Sequence, residues 1–130
     1  MNAKQYNIGF IGLGLMGKGF TERLVKKGHS VIGYDLDLKK VEEASVYGVR
    51  AGKSPADVAS QSDIVMLCVT STDAVEEVIF GPKGISQSIN SGSLLIDFST
   101  TIVASTKKMA KRLKDESNMG WIDAPLSGVP

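Results

Sequence analysis

Short runs of apolar residues alternate along this chain with stretches in which apolar positions recur every three or four residues. The first pattern reads as strand and the second as helix. Tyr6–Gly12 is the first strand. Met16, Phe20 and Leu24 then fall on one stripe and predict a helix that stops at Gly28. Ser30–Tyr34 is a second strand. A helix over Leu38–Tyr47 follows, with Asp37 as its cap and Gly48 beyond its end, and Val49–Ala51 makes a short third strand. Ser54-Pro55-Ala56-Asp57 opens another helix with a capping hydroxyl, a proline at the first helical position and an acidic third residue. Ile64–Val69 is apolar throughout, as a central parallel strand covered on both faces should be. Thr72-Asp73 is expected to cap a helix over Ala74–Phe80, and Gly81-Pro82-Lys83-Gly84 is a turn. Leu94–Asp97 is the fifth strand. Ser105–Asp115 is a helix with Met109, Ala110 and Leu113 inward, and Trp121–Ala124 is a sixth strand.

Strands separated by helices predict an α/β fold with a parallel sheet and right-handed crossovers. The expected architecture is a doubly wound, Rossmann-type sheet of order 3-2-1-4-5-6, with its switch point between strands one and four. Ligands of such sheets bind beyond the carboxyl ends of the strands. In this chain those ends are the glycine turn after strand one, Asp35, Val69-Thr70, Asp97-Phe98-Ser99-Thr100 and Asp123-Ala124-Pro125-Leu126-Ser127-Gly128. Small and polar residues therefore gather at one edge.

The first of those ends carries the most specific signal. Gly12-x-Gly14-x-x-Gly17 joins strand to helix in the order a dinucleotide pyrophosphate requires. Gly12 permits the tight turn, Gly14 lets backbone approach the phosphates, and Gly17 lets the helix pack close to the strand. The free N–H groups of the helix then face the anion. Asp35 lies 18 positions after Gly17, at the tip of strand two, where a carboxylate binds adenosine ribose hydroxyls. It would also repel a 2′-phosphate, so NAD is expected as the cofactor in preference to NADP. Leu36 follows where an NADP enzyme often places arginine. Lys39 and Lys40 read as the exposed face of a helix, with reach toward a 2′-phosphate as the competing role. Val69 and Thr70 are placed to flank the cofactor ribose, while Thr72 is read as a helix cap.

Composition narrows the classes. The chain has 130 residues, 42% hydrophobic and 22% charged, which suits a single globular domain. A net charge of +1 implies no strong field toward nucleic acid or a membrane surface. No apolar run is long enough to span a bilayer, and no secretory h-region precedes strand one. The single cysteine, Cys68, excludes an internal disulfide and suits a reducing cytoplasm. It lies in an apolar run and reads as core filling. His29, the only histidine, follows a helix end and reads as structural. With one histidine and one cysteine, no transition-metal site is expected. Lys107, Lys108, Lys111, Arg112 and Lys114 lie close to Asp115 and Glu116, so they read as a solvated helix face and not a nucleic-acid surface.

Five blocks together resemble the amino-terminal part of the β-hydroxyacid dehydrogenase family, and within it the 3-hydroxyisobutyrate dehydrogenases. They are Gly9-Phe10-Ile11-Gly12-Leu13-Gly14-Leu15-Met16-Gly17, Gly28-His29-x-Val31, Ser54-Pro55-Ala56-Asp57-Val58-Ala59, Gly92-Ser93-Leu94-Leu95-Ile96-Asp97-x-Ser99-Thr100 and Asp123-Ala124-Pro125-x-Ser127-Gly128. The resemblance implies that Gly12, Gly14 and Gly17, with the amides near Leu15 and Met16, hold the pyrophosphate. It implies that Asp35 binds the ribose, that Ser99 and Thr100 lie near the nicotinamide, and that Ser127 and Gly128 hold a substrate carboxylate. The implied reaction is reversible hydride transfer between NAD and a small 3-hydroxy acid, giving a semialdehyde. A tartronate- or succinic-semialdehyde reductase of the same family, or a stand-alone NAD-binding module without chemistry, are the alternatives. The chain departs from the family at Val129, where members carry another glycine, and at Gly19-Phe20-Thr21-Glu22-Arg23. The family's catalytic lysine would lie beyond Pro130, in a helical domain. The chain is therefore expected to be a fragment of a longer two-domain enzyme, inactive alone, whose parent is a homo-oligomer.

Overall fold

The computed structural model describes residues 5–88, 93–99 and 101–124. The elements run β1 (Asn7–Ile11), α1 (Leu15–Lys26), β2 (Ser30–Tyr34), α2 (Leu38–Val46), β3 (Arg50–Ala51), α3 (Pro55–Ser60), β4 (Ile64–Leu67), α4 (Thr72–Phe80), a 3-10 turn at Ile85–Gln87, β5 (Leu94–Asp97), α5 (Val103–Ser117) and β6 (Gly120–Asp123). All six strands are parallel, in the order β3-β2-β1-β4-β5-β6. This is the Rossmann-like order that the strand–helix alternation predicts.

Local chemistry sets most helix ends. Asp37 caps α2 by accepting the Lys39 N–H at 3.0 Å, and Ser54 caps α3 by accepting the Asp57 N–H at 3.1 Å. Beyond α1, Gly28 takes a φ of +91°, and beyond α2, Gly48 takes a φ of +112°. After each, reversed backbone bonds close the helix: His29 N–H donates to Leu24 O at 3.2 Å, and Val49 N–H to Ala44 O at 3.2 Å. Three expectations change. Ser71, not Thr72, caps α4, accepting the Ala74 N–H at 3.1 Å. Thr72 is instead a tie to the next crossover, its Oγ1 accepting the Ile102 N–H at 3.0 Å. The helix α5 starts two residues earlier than its apolar stripe suggests and ends on Asn118 in the left-handed region, a conformation asparagine tolerates without a glycine.

Strand register assigns side chains to two faces. Ile11, Leu67, Asp97 and Asp123 form one cross-sheet row, and Phe10, Met66, Ile96 and Ile122 form the row that faces the other way. The first face packs under α3, α4 and α5 in a core that includes Val58, Leu67, Val75, Ile79, Leu95 and Leu113. The second packs under α1 and α2 around Phe10, Leu13, Val31, Val41 and Ala44. Those two helices lie over β1–β3. Coverage of β4 is consequently unequal: Val65 and Leu67 are buried, while Ile64 and Met66 are half-buried. The α1 stripe also shifts. Gly17 and Thr21 are its buried residues, and Met16, Phe20 and Leu24 flank them half-buried. Thr21 Oγ1 bonds back to Gly17 O at 2.8 Å and meets the Tyr47 hydroxyl at 2.7 Å, which joins α1 to the end of α2.

One contact fixes how closely α3 approaches the sheet. A Cβ on Gly9 would stand 2.4 Å from Val58 Cγ1 and 2.5 Å from Ser62 Oγ. Gly9→Ala should therefore overpack the β1–α3 contact and lower stability by about 1–3 kcal/mol in urea unfolding. Adding Val58→Ala should restore part of that loss, because the two sites couple directly.

Candidate functional site

The carboxyl edge of the sheet holds a cleft of about 420 Å³. Its floor is the turn between β1 and α1, and the three glycines of that turn have different reasons for being glycine. Gly12 has a φ of +100°, and a Cβ there would stand 2.0 Å from the Cys68 carbonyl oxygen. A Cβ on Gly17 would stand 2.0 Å from the Gly12 carbonyl oxygen and 3.1 Å from the Phe10 ring. Packing within the chain excludes a side chain at both. Gly14 is unlike them. Its backbone is an ordinary extended one, and the nearest atom to a Cβ there would be Lys40 Nζ, at 3.9 Å. A side chain at Gly14 would meet open cleft.

Gly14 is also the N-cap of α1. It offers no side-chain cap, and the first turn of α1 contains no acidic residue. The leading amides of α1, at Leu15 and Met16, therefore have no intrahelical acceptor beside Gly14, although the two side chains line a separate shallow groove with Phe20 and Arg23. Leu15 is exposed and Met16 half-buried. The edge thus combines an uncapped positive helix end with a space kept clear of side chain, an arrangement that suits an anion.

Asp35 stands opposite, half-buried at the tip of β2. Its Oδ2 accepts the Leu13 N–H at 2.7 Å, and its Oδ1 accepts the Asp37 N–H at 2.8 Å. The first bond straps the β2 tip to the glycine turn. Each carboxylate oxygen retains a further lone pair, so two hydroxyl donors can still be received. Leu36 follows, 89% exposed, on the cleft wall. Lys40 lies on that wall as well, half-buried, whereas Lys39 is exposed. The reading of both lysines as a solvated face holds only for Lys39.

Val69 and Thr70 form the opposite wall with Ala74 and Val78 of α4. The Val69 N–H donates to Ser99 Oγ at 2.8 Å, and the Ser99 N–H donates to Asp97 Oδ1 at 2.8 Å. Ser99 is only 2% exposed, so its hydroxyl stands behind the wall and holds Val69. Asp97 is fully buried, and its Oδ2 has no hydrogen-bond partner among the described residues. Burial raises its pKa, the two bonds with Ser99 oppose that, and the Asp123 carboxylate adds to the rise. Burial and Asp97 together push the Cys68 thiol up, which keeps it protonated and suits its place in the packing. His29 lies at the other edge of the sheet, where its Nδ1 accepts the Tyr6 N–H at 3.1 Å. It anchors the entry to β1 and lies away from the cleft. Thr100, Ser127 and Gly128 lie outside the described residues.

Sequence reasoning missed the Asp35–Leu13 strap, the Asp97–Ser99–Val69 relay and the aim of Lys40 into the cleft. Spacing alone could have flagged the second, since Asp97 and Ser99 sit two apart at a strand end, where such side chains bond backbone amides. The basic stretch of α5 is an exposed helix face, with Lys111 paired to Asp115 at 3.1 Å and Arg112 to Glu116 at 2.6 Å. Arg112 also lies 4.0 Å over the Phe80 ring.

Residues 7–130 match the NAD binding domain of 6-phosphogluconate dehydrogenase, and the chain belongs to that family of domains, shared with the β-hydroxyacid dehydrogenases. It is 37% identical over 125 residues to 2-(hydroxymethyl)glutarate dehydrogenase of Eubacterium barkeri, covering 96% of this chain and 41% of that protein. It is 35% identical over 121 residues to the cytokine-like nuclear factor N-PAC of Homo sapiens, covering 93% of this chain and 22% of that protein. The fold superposes on 3-hydroxyisobutyrate dehydrogenase of Mycobacterium tuberculosis, solved with L-serine, with a TM-score of 0.86 at 26% identity, covering 96% of this chain and 42% of that one. The chain thus spans between about a fifth and two fifths of these relatives' lengths.

Asp97 makes stability depend on pH. Its pKa is raised from the ordinary 3.8, so protonation favours the folded chain. The stabilisation is complete below that ordinary value and is lost as pH rises through the folded pKa. Asp97→Asn keeps an acceptor for the Ser99 N–H and carries no charge. Thermal melts from acid to neutral pH should show a smaller loss of stability for this variant than for the parent chain. An equal loss in both would assign the dependence to other groups.

Proposed function

We propose that this chain holds NAD for an oxidoreductase that acts on a small 3-hydroxy acid of the 3-hydroxyisobutyrate type, giving a semialdehyde. The observation that carries the reading is Gly14. The fold itself leaves room for a side chain there, and membership in a family of NAD binding domains supports reading that room as the nucleotide's. Bound NAD supplies the hydride-accepting chemistry, and the chain supplies binding and orientation. Gly12, Gly14 and Gly17 shape the turn, and the Leu15 and Met16 amides donate to the pyrophosphate. Asp35 receives the adenosine ribose hydroxyls on its two remaining lone pairs. Val69 and Thr70 flank the cofactor from beyond the end of β4, Ser99 keeps Val69 in place, and the family resemblance assigns Thr100 to the nicotinamide. Ser127 and Gly128 hold the substrate carboxylate through a hydroxyl and an amide donor.

The two named dehydrogenases among the relatives support this substrate class, and tartronate- and succinic-semialdehyde reduction are its neighbours in chemistry. The chain spans about two fifths of those two dehydrogenases' lengths, so turnover is proposed for a full-length protein and not for this domain alone. A second reading, a cofactor-binding module without catalysis, is favoured by the 35% identity to a protein named as a nuclear factor.

Calorimetric titration tests the cofactor assignment. NADH should bind the chain, and NADPH should bind about tenfold more weakly, because a 2′-phosphate would meet the Asp35 carboxylate. Asp35→Ala should weaken NADH and remove the discrimination. Tighter binding of NADPH than NADH would overturn the role given to Asp35. The full-length protein, assayed with NAD and 3-hydroxyisobutyrate by NADH absorbance, separates the two readings: turnover supports the dehydrogenase, and cofactor binding without turnover of any small 3-hydroxy acid supports the module.

A further inference from the structure

Lys40 is the third residue of α2, a position where a cation is disfavoured by the helix dipole. Its ammonium nitrogen nevertheless points across the cleft to Gly14, the N-cap of α1, and lies 3.9 Å from where a Gly14 Cβ would stand. A positive group is therefore held near the positive ends of two helices. Nothing among the described residues neutralises it. The ion pairs there are Lys111–Asp115 and Arg112–Glu116, both on exposed α5. The carboxylates nearest in sequence are already engaged: Asp35 by the Leu13 and Asp37 amides, and Asp37 by the Lys39 amide. Neither comes within ion-pair distance of Lys40 Nζ. Lys40 is half-buried on the cleft wall, while its neighbour Lys39 turns to solvent.

We infer that Lys40 is the counter-charge for the cofactor's pyrophosphate, closing over the phosphates from α2 while the α1 amides hold them from below. The inference rests on the dinucleotide reading of the cleft and adds to it a residue outside the glycine turn. It also assigns the lysine to the bridging phosphates and not to a 2′-phosphate, because Nζ is aimed at Gly14, the phosphate side of the cleft. The unfavourable convergence of like charges in the free chain would be relieved when a dianionic pyrophosphate enters. The same arrangement leaves Asp35 free to discriminate against a 2′-phosphate, since its charge is not spent on the lysine.

The test compares Lys40→Gln and Lys40→Arg with the parent chain, using NADH, NADPH, 5′-ADP and adenosine as calorimetric probes. Lys40→Gln should weaken both NADH and 5′-ADP about tenfold, the scale of one charge-assisted hydrogen bond. It should leave adenosine unchanged, because adenosine carries no phosphate. Lys40→Arg should restore most of the binding, and the salt dependence of NADH binding should become shallower in Lys40→Gln. The melting temperature of free Lys40→Gln should not fall, since among the described residues Lys40 has no ion-pair partner to lose and its charge lies near two positive helix ends. The inference is overturned if Lys40→Gln binds NADH and 5′-ADP as the parent does, or if it weakens NADPH far more than NADH. Failure of the parent chain itself to bind any of the phosphate-bearing probes overturns the cofactor reading and this inference with it.

Discussion

The close approach of three backbone segments at the switch point governs the site. The β1–α1 turn passes so near the end of β4 that Gly12 has no room for a Cβ beside the Cys68 carbonyl, and α1 starts so near the same turn that Gly17 has none beside the Gly12 carbonyl. These contacts set the height of the α1 N-terminus above the sheet. They also help fix its direction, because α1 is then tied through the Thr21 hydroxyl to Tyr47, just past the end of α2. A shift of the turn by the width of one methyl group would move the leading amides of α1 and the strap from Leu13 to Asp35 together. The cleft is thus a consequence of backbone packing first and of side-chain chemistry second.

Charge around the cleft is arranged on top of that frame. Two positive helix ends, Lys40 and the Asp35 carboxylate border one cleft, the carboxylate with its charge shared among backbone amides. Asp97 lies deeper, where its carboxylate is bonded by Ser99 and keeps one oxygen without a hydrogen-bond partner among the described residues. Its burial is unfavourable by itself. What it does is orient Ser99, whose hydroxyl then takes the Val69 amide, so that the end of β4 is held by a side chain from β5. A strained electrostatic position is kept because it sets the shape of the wall, a common trade where a site is built at strand ends.

The architecture was legible from the alternation of patterns because each crossover carried its own punctuation. Gly28 and Gly48 ended helices by adopting positive φ, Ser54 and Asp37 began them, and the six strands took the expected order 3-2-1-4-5-6. What could not be read locally were contacts between residues distant in sequence. Thr72 looks like a cap beside Asp73, yet Ser71 has the extended backbone a cap requires, and Thr72 is taken by Ile102, 30 residues away. Likewise Met16, Phe20 and Leu24 form the obvious apolar stripe of α1, but the face that meets the sheet is Gly17 and Thr21, because close packing selects small residues. Asp35 and the three glycines were legible by spacing. Lys40 was not, since a lysine beside another lysine on a helix gives no hint of which one turns inward.

The three glycines also separate what the fold requires from what a ligand requires. If all three served the turn alone, a Cβ at each should collide with the chain. At Gly12 and Gly17 it does, and those glycines would be needed in any protein with this crossing, whether or not it binds a nucleotide. At Gly14 it collides with nothing, and backbone geometry there is open to any residue. At the N-cap of a helix that borders a cleft, a glycine leaves the backbone open to close approach by something outside the chain. That asymmetry is a stronger argument for a bound phosphate than the glycine pattern itself, because the pattern is partly a signature of packing. It also explains why domains of this family can be shared by proteins with different names. The packing glycines preserve the crossing, while Gly14, Asp35 and Lys40 line the cleft and are free of that packing duty.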